Sequence, residues 1–169
     1  SCEFDLGLVT NITHEHLDYH GSYEGYQAAK GLLFESLGKT PEKPFKPPRG
    51  AVLNRDDRSF EYLLTKTDVP VRSYGMRADA DVRPEAVEYL TEGLRFTAHG
   101  RDLKGVPFQI PVESRLLGKF NLHNCLAAVT LTRAVMGLEQ EAIQIGVAAT
   151  TAVPGRMEKI SLGQDFTAI

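Results

Sequence analysis

Long apolar runs are missing from this chain: no stretch approaches the roughly 20 residues that cross a bilayer, so no membrane span is expected. Cysteine is scarce. Cys2 and Cys125 are the only two, with neither disulfide nor zinc spacing, which suits a reducing cytoplasm. The formal net charge is −3, so the basic footprint of a nucleic-acid binder is absent and no nucleic-acid partner is expected. Internal repeats and low-complexity tracts are not visible. A glycine-rich phosphate loop is wanting too. Gly38-Lys39-Thr40 spells its last three residues, but Leu33 stands where the first glycine belongs. The tripeptide also follows a helical stretch and precedes Pro41, whereas a phosphate loop joins a strand to a helix. Gly38 reads instead as a helix C-cap. What is present is the size of one domain, 169 residues, with 42% hydrophobic content, enough for a real core.

Strands and helices alternate through the first half. Phe4 to Ile12 is apolar and rich in strand formers, and a helix capped by Ser22 follows Gly21, with Glu24 in its first turn. Pro41 to Pro48 holds four prolines among lysines and reads as a loop. Ala51 to Asn54 is a short strand, Asp56 or Asp57 caps a helix through Phe60, Leu63 and Leu64, and Val69 to Tyr74 is a third strand. Such alternation implies right-handed crossovers in a parallel sheet. From Asp81 to Val112 the pattern changes. Val82 to Leu90, Leu94 to Ala98 and Val106 to Val112 alternate between turns at Thr91 to Gly93 and His99 to Gly105, which reads as a small antiparallel subsheet. Two helices follow, Asn121 to Met136 and Gln140 to Ala149, before Val153-Pro154-Gly155 marks a boundary. The expected fold class is α/β, a mostly parallel sheet flanked by helices with a small antiparallel β subsheet.

The most polar stretch is TNITHEHLDYHGSYEGYQAAK, Thr10 to Lys30. It sets His14, Glu15, His16, Asp18 and His20 just beyond a strand's carboxyl end, where open α/β sheets bind ligands. The expected apolar stripe of the next helix is Tyr26, Ala29, Leu33 and Leu37. At about 100° per residue, Lys30 falls within roughly 40° of Tyr26 and Leu37, inside that stripe, where a free ammonium is costly unless it snorkels outward. Three histidines this close suggest zinc, but the spacings of structural zinc sites are absent. Glu15 and Asp18 have a plainer reading as caps of the turn before Gly21, and Asn54-Arg55-Asp56-Asp57 one as turn and cap chemistry. His99 reads as a solvated turn residue and His123 as an exposed helical one.

The form HLDYHG followed by YxxAK resembles the Mur ligases, the ATP-dependent amide-forming enzymes of peptidoglycan synthesis. It is most similar to the members that add the third residue of the peptide. The resemblance implies that Lys30 carries a carbamate, an anionic oxygen ligand for Mg²⁺, and that His16, fourteen positions earlier, is a second metal ligand. Asn11 and Asp18 belong to their surroundings, Asp18 as the D of the HLD motif. Gly118 to Ala128, GKFNLHNCLAA, resembles the family's G-x-[FH]-N-x-x-N-x-L-A-A segment. There Asn124 is the counterpart of the asparagine that reads adenine, a task suited to an amide's adjacent donor and acceptor. Asn121, one turn earlier, either caps the helix or lines the same pocket. Pro154 to Glu158 resembles the family's G-R-x-E at the entry to its third domain, with Arg156 a fixed cation near the nucleotide phosphates.

By the same resemblance, residues 1–152 are the later part of a central ATPase domain and 153–169 a linker and the start of the carboxyl-terminal ligase domain. The family's phosphate loop and a further metal-binding glutamate would precede the first strand, so the chain by itself is expected neither to hydrolyse ATP nor to ligate. The parent reaction implied is ATP-dependent. The terminal carboxylate of UDP-N-acetylmuramoyl-L-alanyl-D-glutamate becomes an acyl phosphate, which the amine of a diamino acid displaces. Two alternatives stand beside it, a folylpolyglutamate synthetase-like ligase and a non-catalytic binding module.

Overall fold

The computed structural model describes residues 2–13, 22–151, 163 and 165. Among these, strands β1 (Leu6–Leu8), β2 (Gly50–Asn54) and β3 (Val71–Tyr74) pair in parallel, with Leu6 opposite Gly50 and Ala51 opposite Val71. Every residue of β2 is buried. Its Ala51 and Leu53 join one apolar cluster and its Val52 the other, which is why this strand is continuously apolar rather than alternating. Helices α1 (Tyr23–Leu37) and α2 (Phe60–Leu64) supply the first cluster through Phe34, Leu37, Phe60 and Leu63. Helix α3 (Lys119–Val129), a π-helical stretch (Thr130–Val135) and α4 (Gln140–Ala149) supply the second. Complete burial of side chains such as Leu126 and Phe34 is worth about 1.5–3 kcal/mol each.

The sheet continues through β4 (Val82–Leu90), β5 (Gly93–Arg101) and β6 (Pro107–Ser114), which pair antiparallel. Strand β6 alternates exposed and buried along its length, so one face lies on the core and the other meets water. The turn from β4 to β5 requires glycine. Gly93 has φ +146°, and a Cβ there would come within 2.0 Å of the Ser114 carbonyl oxygen.

The α/β fold class holds, and several expectations within it are corrected. The antiparallel subsheet is present as expected and continues the parallel strands in the order β1 to β6, through one parallel pair, Tyr74 with Val82. The first strand pairs only over Leu6–Leu8. Strand β5 runs on to Arg101, so His99 is a half-buried strand residue opposite Arg83 and Gln109, not a turn residue. Helix α2 has Ser59 at its N-cap, with no side-chain cap bond, because Asp57 closes the preceding turn by accepting the Ser59 amide at 2.9 Å. The long helix expected over Asn121 to Met136 begins at Lys119 and widens into the π-helical stretch. Gly38 does end α1, in a right-handed conformation (φ −69°) that draws on no special freedom of glycine.

Lys30 is also corrected. The inward face of α1 is Tyr23, Gly31, Phe34 and Leu37, whereas Ala29 and Lys30 are exposed and Leu33 half-buried. The large ring of Phe34, omitted from the expected stripe, rotates the helix until Lys30 faces outward. Its ammonium lies 5.4 Å from the centroid of the Tyr26 ring. The helix starts as expected, with Ser22 Oγ accepting the Gly25 amide at 3.0 Å.

Candidate active site

The carboxyl ends of β1, β2 and β3 converge on the backbone that leads to the histidine segment. Asn54, at the end of β2, donates from Nδ2 to the Thr10 carbonyl at 2.7 Å while its Oδ1 accepts the Asp56 amide at 2.9 Å. Asp57 Oδ2 accepts the Ile12 amide at 3.3 Å. Tyr74, ending β3, donates its buried phenol to Val9 O at 3.1 Å or Thr10 O at 3.3 Å. With Val9 and Ile12 themselves buried, the chain is held on both polar and apolar sides up to Ile12. The run Asn54-Arg55-Asp56-Asp57 therefore does turn chemistry, as its plainer reading had it, and also braces the neighbouring strand.

His14, His16, Asp18, His20 and Arg156 lie outside the described residues. Asn11 is exposed at the braced strand end. Among the described residues, no group of three or more His, Cys, Asp or Glu side chains could hold a metal ion.

Burial pushes the Tyr74 phenol far above its ordinary value of 10.0, and the charges of Asp57 and Asp56 push the same way. A raised folded-state value means the native phenol keeps its proton after the unfolded one has lost it. Stability is therefore complete below about pH 10 and declines as pH rises further. The Cys125 thiol acts in the same direction, raised by burial against a smaller opposing hydrogen bond from Ser114. Tyr74→Phe should cost about 1 kcal/mol by urea denaturation at neutral pH, since the Thr10 carbonyl keeps Asn54 as a partner. It should also flatten the fall of the melting temperature above pH 10. An unchanged alkaline slope would assign that fall to other groups.

The second part of the site is the start of α3. Gly118 enters it with φ +91°, where a Cβ would press within 2.8 Å of the Phe120 ring. Asn121 is buried. Its Nδ2 donates to Leu117 O at 2.6 Å, and its Oδ1 accepts from Asn124 Nδ2 at 2.9 Å. Of the two roles left open for Asn121, capping is corrected, since it lies inside the helix and bonds the carbonyl of residue 117. Asn124 is exposed on the next turn and borders a cavity of about 280 Å³ between α3 and α4. The other walls are mostly apolar, including Leu116, Ala128, Ile143 and Val147, and Thr132 contributes from the π-helical stretch. Helical widenings of this kind recur at functional sites.

Sequence reasoning missed a link between the two parts. His123 is half-buried, and its Nδ1, which has no hydrogen-bond partner, lies 3.8 Å from Asp56 Oδ2. The Asp56 carboxylate accepts the amides of Met76 and Arg77 at 2.6 and 3.1 Å, so it ties the loop after β3 to the end of β2. No periodicity announces such a contact, because its partners are 67 positions apart.

An open α/β sheet with its polar groups at the strand ends, beside an apolar cleft bearing one amide, is the arrangement in which α/β domains bind ligands. The family model for the Mur ligase middle domain matches residues 1–132, and the chain belongs to that family. Among curated relatives, it is 40% identical over 171 residues to the UDP-N-acetylmuramoyl-L-alanyl-D-glutamate--2,6-diaminopimelate ligase of Geobacillus kaustophilus (strain HTA426), covering 99% of this chain and 33% of that protein. It is 37% identical to UDP-N-acetylmuramyl-tripeptide synthetase 2 of Oceanobacillus iheyensis, covering 94% and 30%. The chain thus spans about a third of the length of the curated relatives it matches. In three dimensions it is similar to MurF from Acinetobacter baumannii, with TM-score 0.77, 22% identity, and coverage of 95% of this chain and 32% of that one. Folylpolyglutamate synthase from Mycobacterium tuberculosis, solved with ADP and AMPPCP, shares the fold at TM-score 0.70, 23% identity, and coverage of 93% and 34%.

Proposed function

We propose that this chain is the later part of the catalytic central domain of a ligase that adds a diamino acid to UDP-N-acetylmuramoyl-L-alanyl-D-glutamate at the expense of ATP. Residues 1–152 belong to that domain, and 153–169 are the linker and the start of the carboxyl-terminal ligase domain. The observation that carries the reading is Asn124 at the rim of the apolar cavity between α3 and α4. A purine base needs apolar contact on its faces and an amide at its edge, and this cavity offers both. Asn121 holds the Asn124 amide from behind, a positioning role. Arg156 would meet the phosphates.

Lys30 is suited to the role of metal ligand by its accessibility, not by burial. Burial does not force it to lose its charge, because it is exposed. Exposure instead leaves its amine accessible to carbon dioxide and to solvent, and among the described residues no carboxylate pairs with it. As a carbamate it would join His16 in holding Mg²⁺, with Asn11 and Asp18 around them. Held by these residues, Mg²⁺ would supply a charge that stabilises phosphoryl oxygens. This chain's own part is to fix the approach to His16 through Asn54, Asp57 and Tyr74, and to orient the base through Asn124.

Among the described residues no helix is long and apolar enough to cross a membrane; the cytoplasm is proposed because the substrates of the proposed reaction are soluble and nucleotide-linked. The longer protein, given Mg²⁺-ATP, the muramoyl dipeptide and diaminopimelate, should release phosphate only when all three are present. Turnover with a folylpolyglutamate in place of the muramoyl dipeptide would overturn the assignment.

A further inference from the structure

Helices α3 and α4 pack on one face of β4–β6, and the other face carries side chains that are half-buried or exposed. Strand register sets Arg83, His99 and Gln109 side by side on that outer face. Arg101 and Pro107 form the next row along. With Ala80 and Asp81 at the border, these two rows line a concavity of about 630 Å³.

The two ends of the face are charged in different ways. At the far end Arg95 is neutralised, its Nε donating to Glu113 Oε1 at 2.7 Å and its Nη1 3.7 Å from Glu88 Oε2. Around the concavity no such pairing occurs. Among the described residues, the side chains of Arg83, His99 and Gln109 make no hydrogen bond or ion pair, and Glu85, next along β4 on the same face, pairs with neither arginine. The nearby carboxylates are committed elsewhere. Asp81 Oδ2 accepts the Ser73 amide at 2.8 Å and the Ser73 hydroxyl at 2.7 Å, and Asp102 Oδ1 accepts the amides of Lys104 and Val106, both at 2.9 Å. Arg101 donates from Nη1 to Gly105 O at 2.9 Å, which holds its guanidinium beside the concavity with donors to spare.

Two guanidinium forks on diagonal positions, neither ion-paired to a carboxylate among the described residues, together with an imidazole and an amide, suit an anion with several oxygens around more than one centre, although the Asp81 carboxylate borders the concavity. We propose that the concavity lined by Arg83, His99, Arg101 and Gln109 is a second anion site, taking a small molecule that carries a diphosphate group. It lies on the face of the sheet opposite α3 and the Asn124 cavity, and its chemistry is independent of the adenine reading.

Pyrophosphate titrated into the ¹⁵N-labelled protein at fixed ionic strength tests this. The expected result is saturable shifts in the amides of residues 80–83, 99–101, 108 and 109, with orthophosphate binding at least tenfold more weakly. Arg83→Gln and Arg101→Gln should each weaken pyrophosphate at least tenfold, whereas Arg95→Gln, at the paired end of the same face, should change it less than twofold. Folding of each variant is read from its amide spectrum, and the exposed Arg101 keeps the test available if Arg83→Gln is unstable. Non-saturating shifts, shifts spread equally to Arg95 and Arg49, equal affinity for the two anions, or indifference to both substitutions would each overturn the site.

Discussion

Lys30→Ala, made in the longer protein, should reduce ligation by more than about a hundredfold, beyond the loss typical when a mere outer partner of a metal ligand is removed. Short carboxylic acids such as acetate should then restore part of the activity by supplying the missing anion. Lys30→Arg should not substitute, because a guanidinium stays cationic and forms no carbamate. The exposed position of Lys30 sharpens the test. Its side chain supports no core packing beyond the Tyr26 ring, so the alanine variant should melt within a degree or two of the parent. A large loss of activity in a fully folded variant then reports chemistry rather than stability. Full activity without any additive would remove Lys30 from the site.

Asn124→Ala should raise the Michaelis constant for ATP about 5- to 150-fold, corresponding to about 1–3 kcal/mol for an unmade polar contact in an apolar cleft. The constant for the muramoyl substrate should stay within about twofold. This split matters because Asn124 also donates to Asn121 Oδ1, and its removal deprives that buried amide of a partner. A purely structural loss would lower activity without favouring one substrate. Equal effects on both constants would therefore return Asn124 to the helix and leave the cavity without a reader for its base.

Legibility of the chain in advance depended on how local the cause was. Ser22 announced the start of α1, and strict alternation announced β6, because each rests on residues a few positions apart. Lys30 was misplaced because 100° arithmetic weighs every apolar residue alike, whereas the ring of Phe34 outweighs Ala29 and turns the helix. The extension of β5 past His99 was hidden for another reason: Gly100 and Gly105 look like turn residues, and only the neighbouring strands keep residues 99–101 extended. In the site, the short motifs marked Asn121 and Asn124, while the bracing of Thr10 by Asn54 and Tyr74 joins residues 44 and 64 positions apart. Nothing in a linear pattern encodes that pairing.

The single pair between Tyr74 and Val82 makes the sheet mechanically uneven. On one side lie parallel strands whose pairing must wait for long crossovers to close, and on the other a meander whose contacts are local in sequence and form early. Across the seam the ladder contributes a single pair, and the holding is done by the hydrogen bonds of Asp81 with Ser73, those of Arg72 to the carbonyls of Arg101 and Asp102, and Tyr74, Val82 and Leu126 in the shared apolar cluster. Native-state hydrogen exchange should resolve the sheet into two cooperative units, the amides of 93–101, 108–110 and 112–114 opening together and those of 50–54 and 71–74 opening in a separate, lower-energy event. Truncating Leu126 to alanine should merge nothing within either unit but widen the gap between them. The strand-end polar groups then sit on the half of the sheet that opens first, whereas the Asn124 cavity lies over the meander, so a nucleotide that engages both would couple the two openings and protect both halves together.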